Sequence, residues 1–230
     1  MLNKIYNRLL EEYGPQGWWL LLDYKGVNPT KTGSMNGYHP NDFSHPTNEI
    51  ERFEIITGAL LTQNTNWQNV EKALLNLKRS NLLNPKSIQE VEIEKLKENI
   101  RPGGYYNQKS ERLKILAKFF ISLNGRTPKR EELLSLKGVG PETADSILLY
   151  AYSVPSFVVD SYTKRIFINL GLINNEMDYN EIKYYFEKNL IKDYKVYQEF
   201  HALIVEHAKR YYLTKNNESD FLKEITNPSS

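Results

Sequence analysis

Two features of the sequence could carry chemistry, and the second lies twenty residues after the last glycine of the first. The first is the stretch LKGVGPETA at 136–144, in which two glycines precede a proline. Because proline suits the first position of a helix, the pattern predicts a short turn followed by a new helix. Glycines leave backbone N–H groups unobstructed, and such groups at a helix N-terminus can bind phosphate. The stretch predicts a backbone phosphate site, although an ordinary turn between two helices has the same pattern.

The second feature is Asp160, which an apolar Phe157-Val158-Val159 run delivers to the start of a predicted helix. An aspartate in front of a helix is by itself an N-cap, which stabilises the helix by about 1 kcal/mol. A carboxylate fixed in a site screened from water can also stabilise a developing positive charge. It can orient or deprotonate an attacking water as well. Both interpretations of Asp160 are open from the residue alone.

Together the two features resemble the helix-hairpin-helix and the catalytic aspartate of endonuclease III-like DNA glycosylases, the HhH-GPD superfamily. The resemblance implies that Asp160 is the carboxylate that drives cleavage of an N-glycosidic bond. In such enzymes the target base must first leave the duplex stack. The resemblance also implies which hairpin residues bind double-stranded DNA: Lys137, Gly138, Val139, Gly140 and Thr143.

One hairpin position bears on the type of glycosylase. Members of the superfamily that also nick the strand carry a lysine two residues after the last hairpin glycine, and this lysine forms a Schiff base with the sugar. Here that position is Glu142. We therefore predict a monofunctional hydrolase without strong AP lyase activity.

A second matched segment, 53–65, resembles the first barrel helix of the family and the Gln-x-Thr turn after it. By this resemblance Gln63 fills the gap that the extruded base leaves, whereas a polar helix-terminal cap is the structural alternative. The chain has no cysteine, so the four-cysteine cluster of endonuclease III is absent. That absence, Glu142 and the Leu-Thr-Gln-Asn-Thr turn resemble the 3-methyladenine DNA glycosylase III branch.

The resemblance to that branch extends to Gly14-Pro15-Gln16-Gly17-Trp18-Trp19, which is similar to an aromatic element of its base pocket. It implies a pocket that includes Trp18, Trp19 and Asn64, unless the tryptophans only pack the first helix against the core. Indole faces attract a cation by about 0.5–2 kcal/mol, which favours an N-alkylated purine such as 3-methyladenine. Oxidised pyrimidine, uracil or mismatched thymine are alternative targets. A non-catalytic DNA-binding module is the alternative from another class.

Composition limits the remaining possibilities. The 230 residues are 40% hydrophobic and 25% charged, which is typical of a globular protein. A net charge of only +2 means that any DNA contact must come from a local patch or from backbone groups. Zero cysteines exclude disulfides, a thiolate nucleophile and an iron–sulfur cluster. The four histidines lack the spacing of zinc ligands, so we expect no transition metal, and only a monovalent cation at the hairpin carbonyls is conceivable by resemblance.

The elements that must position these residues are predicted to be helical throughout. The fold class is all-α, a two-lobed endonuclease III-like fold whose helix-hairpin-helix covers 129–153. One lobe spans 50–153, and the second combines 1–49 with 154–213; 23–47 is expected to be a long irregular loop and 214–230 a flexible tail. We expect an intracellular monomer that is neither secreted nor membrane-bound. The apolar spacing predicts helices at 2–13, 48–63, 66–79, 87–98, 107–122, 129–136, 141–153, 160–169, 179–190 and 194–213.

Overall fold

A computed structural model describes residues 1–30, 36–213 and 220–226 of the chain. Over these residues the fold is all-α, as predicted, with one isolated β-bridge between Val27 and Asn36. None of the helices in these ranges is long and apolar enough to cross a membrane. The helices are α1 Leu2–Tyr13, α2 Glu49–Leu61, α3 Trp67–Arg79, α4 Pro85–Glu90, α5 Ile93–Ile100, α6 Tyr106–Leu123, α7 Arg130–Leu134, α8 Pro141–Ser146, α9 Ser161–Asn169, α10 Tyr179–Asn189, α11 Tyr194–Tyr211 and α12 Leu222–Thr226.

The single helix predicted at 87–98 is wrong, because two helices, α4 and α5, occupy this stretch. Asn84 caps α4 by accepting a hydrogen bond from the Ser87 amide, and the backbone turns extended at Val91 (ψ 142°). Ile88 and Leu96 are both fully buried. Their spacing looked like one apolar face, whereas each belongs to its own short helix.

The interior helix of the fold is α2, in which every residue from Phe53 to Leu61 is buried. It packs against α3, α6 and the π-helical turn Ile147–Ala151 that continues α8. A second group of helices forms around α11, which contacts α1 and α9. The turn at 147–151 also contacts α11, so it joins the two groups. The candidate catalytic residues lie at this junction.

Residues 220–226 belong to the segment predicted as a flexible tail, and they contact the end of α11. Leu222 is fully buried, and Asp220 lies 3.0 Å from His207 Nε2. The Tyr212 hydroxyl also donates to Asp220, over 2.6 Å. These contacts come from residues of α11 and its end, so local composition could not reveal them. The rest of the predicted tail, 214–219 and 227–230, lies outside the described residues.

The irregular segment predicted at 23–47 is anchored by a buried histidine. One ring nitrogen of His39 lies 2.7 Å from the Asp42 carbonyl and the other lies 2.8 Å from the Trp19 carbonyl. Nearby, His45 contacts the Glu51 carboxylate at 2.9 Å. The loop is thus fastened to the backbone beside Trp18 and to α2. Residues 31–35 of this loop lie outside the described ranges.

Candidate active site

Asp160 lies immediately before α9 and caps it. Its Oδ1 accepts hydrogen bonds from the Thr163 amide (2.7 Å) and the Thr163 hydroxyl (2.8 Å). Only 13% of its side chain is exposed. The N-cap interpretation of Asp160 is therefore confirmed, and one oxygen, Oδ2, is left outside the cap.

The residue that faces the outer oxygen of Asp160 is His201 of α11. Its Nε2 lies 3.5 Å from Asp160 Oδ2, and it makes no hydrogen bond within the described part of the chain. Its Nδ1 lies 2.7 Å from the hydroxyl of the fully buried Tyr150. The sequence alone does not indicate a role for His201 beside Asp160. Among the described residues, no group of three or more His, Asp or Glu side chains could hold a metal ion.

The carboxyls at this junction differ in how readily they ionise. Burial raises the pKa of Asp160, but the interaction with His201 and the bonds from Thr163 outweigh it and lower the pKa below its ordinary value. Glu142, in the first turn of α8, has its pKa raised to about 7 by the surrounding protein and by the Asp160 charge, although its side chain is exposed. Asp160 is thus the ionised group at neutral pH, and its charge is one of the causes that raise the pKa of Glu142.

The two tryptophans predicted for a base pocket occupy different environments. Trp18 is half-buried and meets the His201 ring edge-on at 5.9 Å, with Lys209 Nζ 6.0 Å above the Trp18 ring. Trp19 is 7% exposed and packs edge-on against Trp67 and Tyr150. Trp18 therefore adjoins the candidate catalytic residues, and the core-packing alternative describes Trp19.

The indole nitrogens near this cluster have unmet hydrogen-bonding capacity. Within the described ranges, the buried Nε1 atoms of Trp18, Trp19 and Trp67 have no partner, nor has Oε2 of Glu199. Glu199 holds the tryptophan segment through its other oxygen, which accepts from the Gln16 amide at 2.5 Å. Burial raises the pKa of Glu199 to about 7. These buried polar atoms lie around the candidate site without a protein partner among the described residues.

Gln63 and Arg112 contact the hairpin between α7 and α8 and support it. The Gln63 amide donates to the Gly138 carbonyl and to the Thr143 hydroxyl, both at 2.9 Å. Its Oε1 accepts from Arg112 at 2.9 Å. Arg112 also lies directly under Gly138, where a Cβ would approach it to 2.2 Å. Sequence reasoning missed Arg112, which reaches the hairpin from α6.

The other residues predicted for DNA binding or for the base pocket lie in different environments. Lys137 is 78% exposed, with its ammonium 3.9 Å from Glu111. Val139 is buried and its amide donates to the Leu136 carbonyl, so Val139 contributes mainly packing. Asn64, predicted for the base pocket, has an exposed side chain on the turn after α2.

The fully buried Asp145 of α8 fixes the chain that leads from the hairpin to Asp160. It accepts two hydrogen bonds from Arg130 (2.9 and 3.0 Å) and one from the Ser156 hydroxyl (2.6 Å). Lys183 of α10 lies 3.5 Å from the same carboxylate. A buried carboxylate needs such partners to offset its desolvation, and here they tie the hairpin to the segment that delivers Asp160.

Comparisons with known proteins agree on one family. Residues 57–192 match the HhH-GPD superfamily of base excision DNA repair proteins. A putative DNA repair glycosylase of Methanocaldococcus jannaschii is 47% identical over 92% of this chain and 88% of its own length. Endonuclease III of Escherichia coli is 31% identical over 53% of this chain and 60% of its own.

Solved structures give the same result. The 3-methyladenine DNA glycosylase of H. pylori bound to 1,N6-ethenoadenine has a TM-score of 0.62 at 37% identity, over 69% of this chain and 85% of its own. An endonuclease III trapped covalently on DNA has a TM-score of 0.72 at 19% identity, over 94% and 88%. The latter shows the endonuclease III-like fold. This chain belongs to the HhH-GPD superfamily and is a DNA repair glycosylase of that family.

Proposed function

We propose that this protein is a monofunctional DNA glycosylase that hydrolyses the N-glycosidic bond of N-alkylated purines, such as 3-methyladenine, in damaged double-stranded DNA. The observation that carries the proposal is the placement of an ionised, mostly buried Asp160 beside His201, which in turn touches the half-buried Trp18. The 37% identity to a 3-methyladenine DNA glycosylase supports the same substrate class.

The chemistry follows from the charge on Asp160. As the base departs with the bonding electrons, the deoxyribose acquires positive charge, and a fixed carboxylate at low dielectric stabilises it. Water then adds to the anomeric carbon and loses a proton. An N-alkylated purine is a cation before cleavage and leaves as a neutral base, so it needs no protonation. The partly exposed Trp18 face offers such a cation an aromatic surface.

A Schiff-base route needs a free lysine at the sugar, and Glu142 occupies the position where the superfamily's lyases carry one. Lys209, whose ammonium lies above Trp18, is 3.7 Å from the Glu206 carboxylate. We therefore infer that hydrolysis leaves an abasic site with the strand intact. Covalent trapping of the protein on damaged DNA by borohydride would contradict this inference.

DNA binding is proposed to use the hairpin backbone around Gly138 and Gly140, with Lys137 as an exposed phosphate contact. The buried Thr143 and the half-buried Gln63 support this turn from within. Gln63 can fill a vacated stack only if it gives up its hydrogen bonds to the hairpin, each worth about 0.5–1.5 kcal/mol. The hairpin carbonyls of Leu136 and Gly138 each accept one hydrogen bond. Each carbonyl oxygen retains a second lone pair that can coordinate a cation. A monovalent cation at the hairpin therefore stays a prediction.

The test is excision on a panel of lesion duplexes, with 3-methyladenine, 1,N6-ethenoadenine, 5-hydroxycytosine, uracil and a thymine–guanine mismatch. We expect release of alkylated purines by the wild type. Asp160→Asn keeps the helix cap and should abolish release while the protein still binds an abasic-site duplex. Preferential release of uracil or an oxidised pyrimidine would refute the substrate class. DNA binding with no excision of any base would favour the non-catalytic module.

A further inference from the structure

His201 occupies a place that no part of the hairpin–aspartate pattern assigns. It is 5% exposed, and it lies between Tyr150 on one side and Asp160 on the other. Its Nε2 faces the carboxylate at 3.5 Å, a separation at which small movements make or break a hydrogen bond. The ring edge meets Trp18 as well. A buried polar atom without a partner at a reaction centre requires an explanation.

The position of its proton follows from its neighbours. The Tyr150 hydroxyl is 2.7 Å from His201 Nδ1 and 3.3 Å from the Gln198 carbonyl. If the hydroxyl donates to Nδ1, the proton of the neutral ring is on Nε2 and points at Asp160. If the hydroxyl donates to the Gln198 carbonyl instead, Nδ1 carries the proton of a neutral ring. Nε2 then points a lone pair at the carboxylate of Asp160, which is repulsive. The shorter contact and the electrostatics both favour the Nε2–H tautomer.

The carboxyl of Asp160 is otherwise held on one side only. Thr163 donates twice to Oδ1, as an N-cap does. Oδ2 lies outside the cap, and His201 Nε2 faces it at 3.5 Å. A misplacement of about 1 Å in a reacting group can lower a rate by 10²-fold.

The same helix carries a second chain of this kind, which serves as an internal comparison. In it, Tyr13 lies 2.9 Å from His207 Nδ1, and His207 Nε2 lies 3.0 Å from Asp220. That chain is closed by a full hydrogen bond and only fastens the C-terminal segment. The chain through His201 is open at its carboxylate end, where the proposed reaction takes place.

We propose that His201 is a positioning residue: its Nε2–H, oriented by Tyr150, holds Oδ2 of Asp160 toward the anomeric carbon of the flipped nucleotide. This inference rests on the proposed function, in which Asp160 is the catalytic carboxylate.

The pH dependence follows from the groups around Asp160. Burial raises the pKa of Asp160, but His201 contributes to the net lowering. Further titratable groups that interact with Asp160 are Glu142 of α8, Tyr162 of α9 and Tyr150. Removal of His201 therefore raises the pKa of Asp160. Since excision requires ionised Asp160, the acid limb of the rate profile moves to higher pH in the variant.

The experiment measures single-turnover release of methylated purines from a duplex treated with dimethyl sulfate, between pH 4.5 and 9. His201→Leu removes the donor and should slow release by about 10- to 100-fold, with affinity for an abasic-site duplex within about 2-fold of wild type. His201→Gln places an amide donor near the Nε2 position and should recover most of the rate. His207→Gln is the matched control and should change stability but not the rate.

The outcomes separate the two claims. Full activity of Asp160→Asn would refute the proposed function itself. Loss of activity in Asp160→Asn with a wild-type rate and acid limb in His201→Leu would overturn the role of His201 alone. Equal slowing by His201→Leu and His207→Gln would show a structural effect and would also overturn it.

A second measurement needs no substrate. Long-range ¹H–¹⁵N spectra of the imidazole rings at pH 8 report which nitrogen carries the proton, and the folded His201→Gln protein assigns the signals. We expect the Nε2–H tautomer for His201. The Nδ1–H tautomer would overturn the proposal whatever the lesion preference of the enzyme.

Discussion

The support under the hairpin can be tested at Gly138, where a single added carbon meets a defined neighbour. Gly138 has φ +87°, and a Cβ there would lie 2.2 Å from Arg112 Nε and 2.3 Å from Arg112 Cδ. In Gly138→Ala the left-handed backbone costs about 1–2 kcal/mol. Arg112 must also move, and its charge-assisted bond to Gln63 is worth about 1.5–3 kcal/mol. We expect a total loss of about 2.5–5 kcal/mol in the free energy of unfolding.

Gly140→Ala is the matched control, because a Cβ at Gly140 meets nothing within 4 Å and its φ is negative. Gly140 is the N-cap of α8, where alanine is less favourable than glycine, so about 1 kcal/mol or less is expected. The measurement is urea unfolding followed by fluorescence and extrapolated to water. Binding to an abasic-site duplex should weaken in Gly138→Ala, since Gln63 and the hairpin move with Arg112.

A double-mutant cycle identifies the cause. In an Arg112→Ala background the clash is gone, so Gly138→Ala should cost only the backbone strain of about 1–2 kcal/mol. The two substitutions should therefore be non-additive. An equal cost of Gly138→Ala in both backgrounds, or an equal cost of Gly140→Ala, would refute the view that Arg112 supports the hairpin.

Four further predictions follow from side chains in and around the site. Glu54 is 4% exposed, and burial raises its pKa to about 7. The cost of the buried negative charge to the free energy of unfolding is absent below pH 4.5 and grows as pH rises toward 7. Glu54→Gln should therefore gain stability at pH 8, by at most about 3 kcal/mol, and show no gain at pH 4 in urea unfolding. Lys109→Met should lose about 1–3 kcal/mol in the same assay, because the buried ammonium donates to two backbone carbonyls at 2.8 Å. Trp18→Ala should weaken excision of alkylated purines with a small loss of stability, whereas Trp19→Ala should lose about 3–5 kcal/mol in thermal or urea unfolding. Gln63→Ala should destabilise the free protein; an unchanged unfolding midpoint with reduced excision would instead support insertion of Gln63 into the duplex.

The parts of the fold that local spacing controls were predictable from the sequence. Helices such as α1 and α11 carry periodic apolar residues over several turns, and their positions agree with the prediction to within two residues. The break at Val91 was missed because Ile88 and Leu96 continue an apparently single apolar face. The helix at 222–226 was missed because its anchors, His207 and Tyr212, are supplied by distant sequence.

The residues of the candidate site also divide into those that spacing along the chain indicates and those that only packing brings together. Asp160 could be proposed as the catalytic carboxylate because its distance from the hairpin is a feature of the sequence. His201 was not, since its relation to Asp160 depends on how α11 packs against α9. Arg112 was missed for the same reason, because its contact with Gln63 joins the middle of one helix to the end of another. Spacing along the chain locates residues of one element, whereas partners brought together by packing need the tertiary structure.

The environment of Asp160 also favours one of its two proposed roles over the other. An N-cap carboxylate accepts hydrogen bonds from the helix and feels the positive end of the helix dipole, and both effects make it a weaker base. The pKa of Asp160 is lowered despite burial, by the interaction with His201 and by the hydrogen bonds from Thr163. A weak base takes a proton from water poorly in the ground state, but it retains its negative charge when a cationic sugar forms beside it. On the proposed function, Asp160 therefore acts mainly through its charge on the departing-base transition state, and water is deprotonated only after the oxocarbenium has formed. Such an enzyme gives little help to a poor leaving group, which is a further physical reason to expect alkylated purines, already activated by their positive charge, as its substrates.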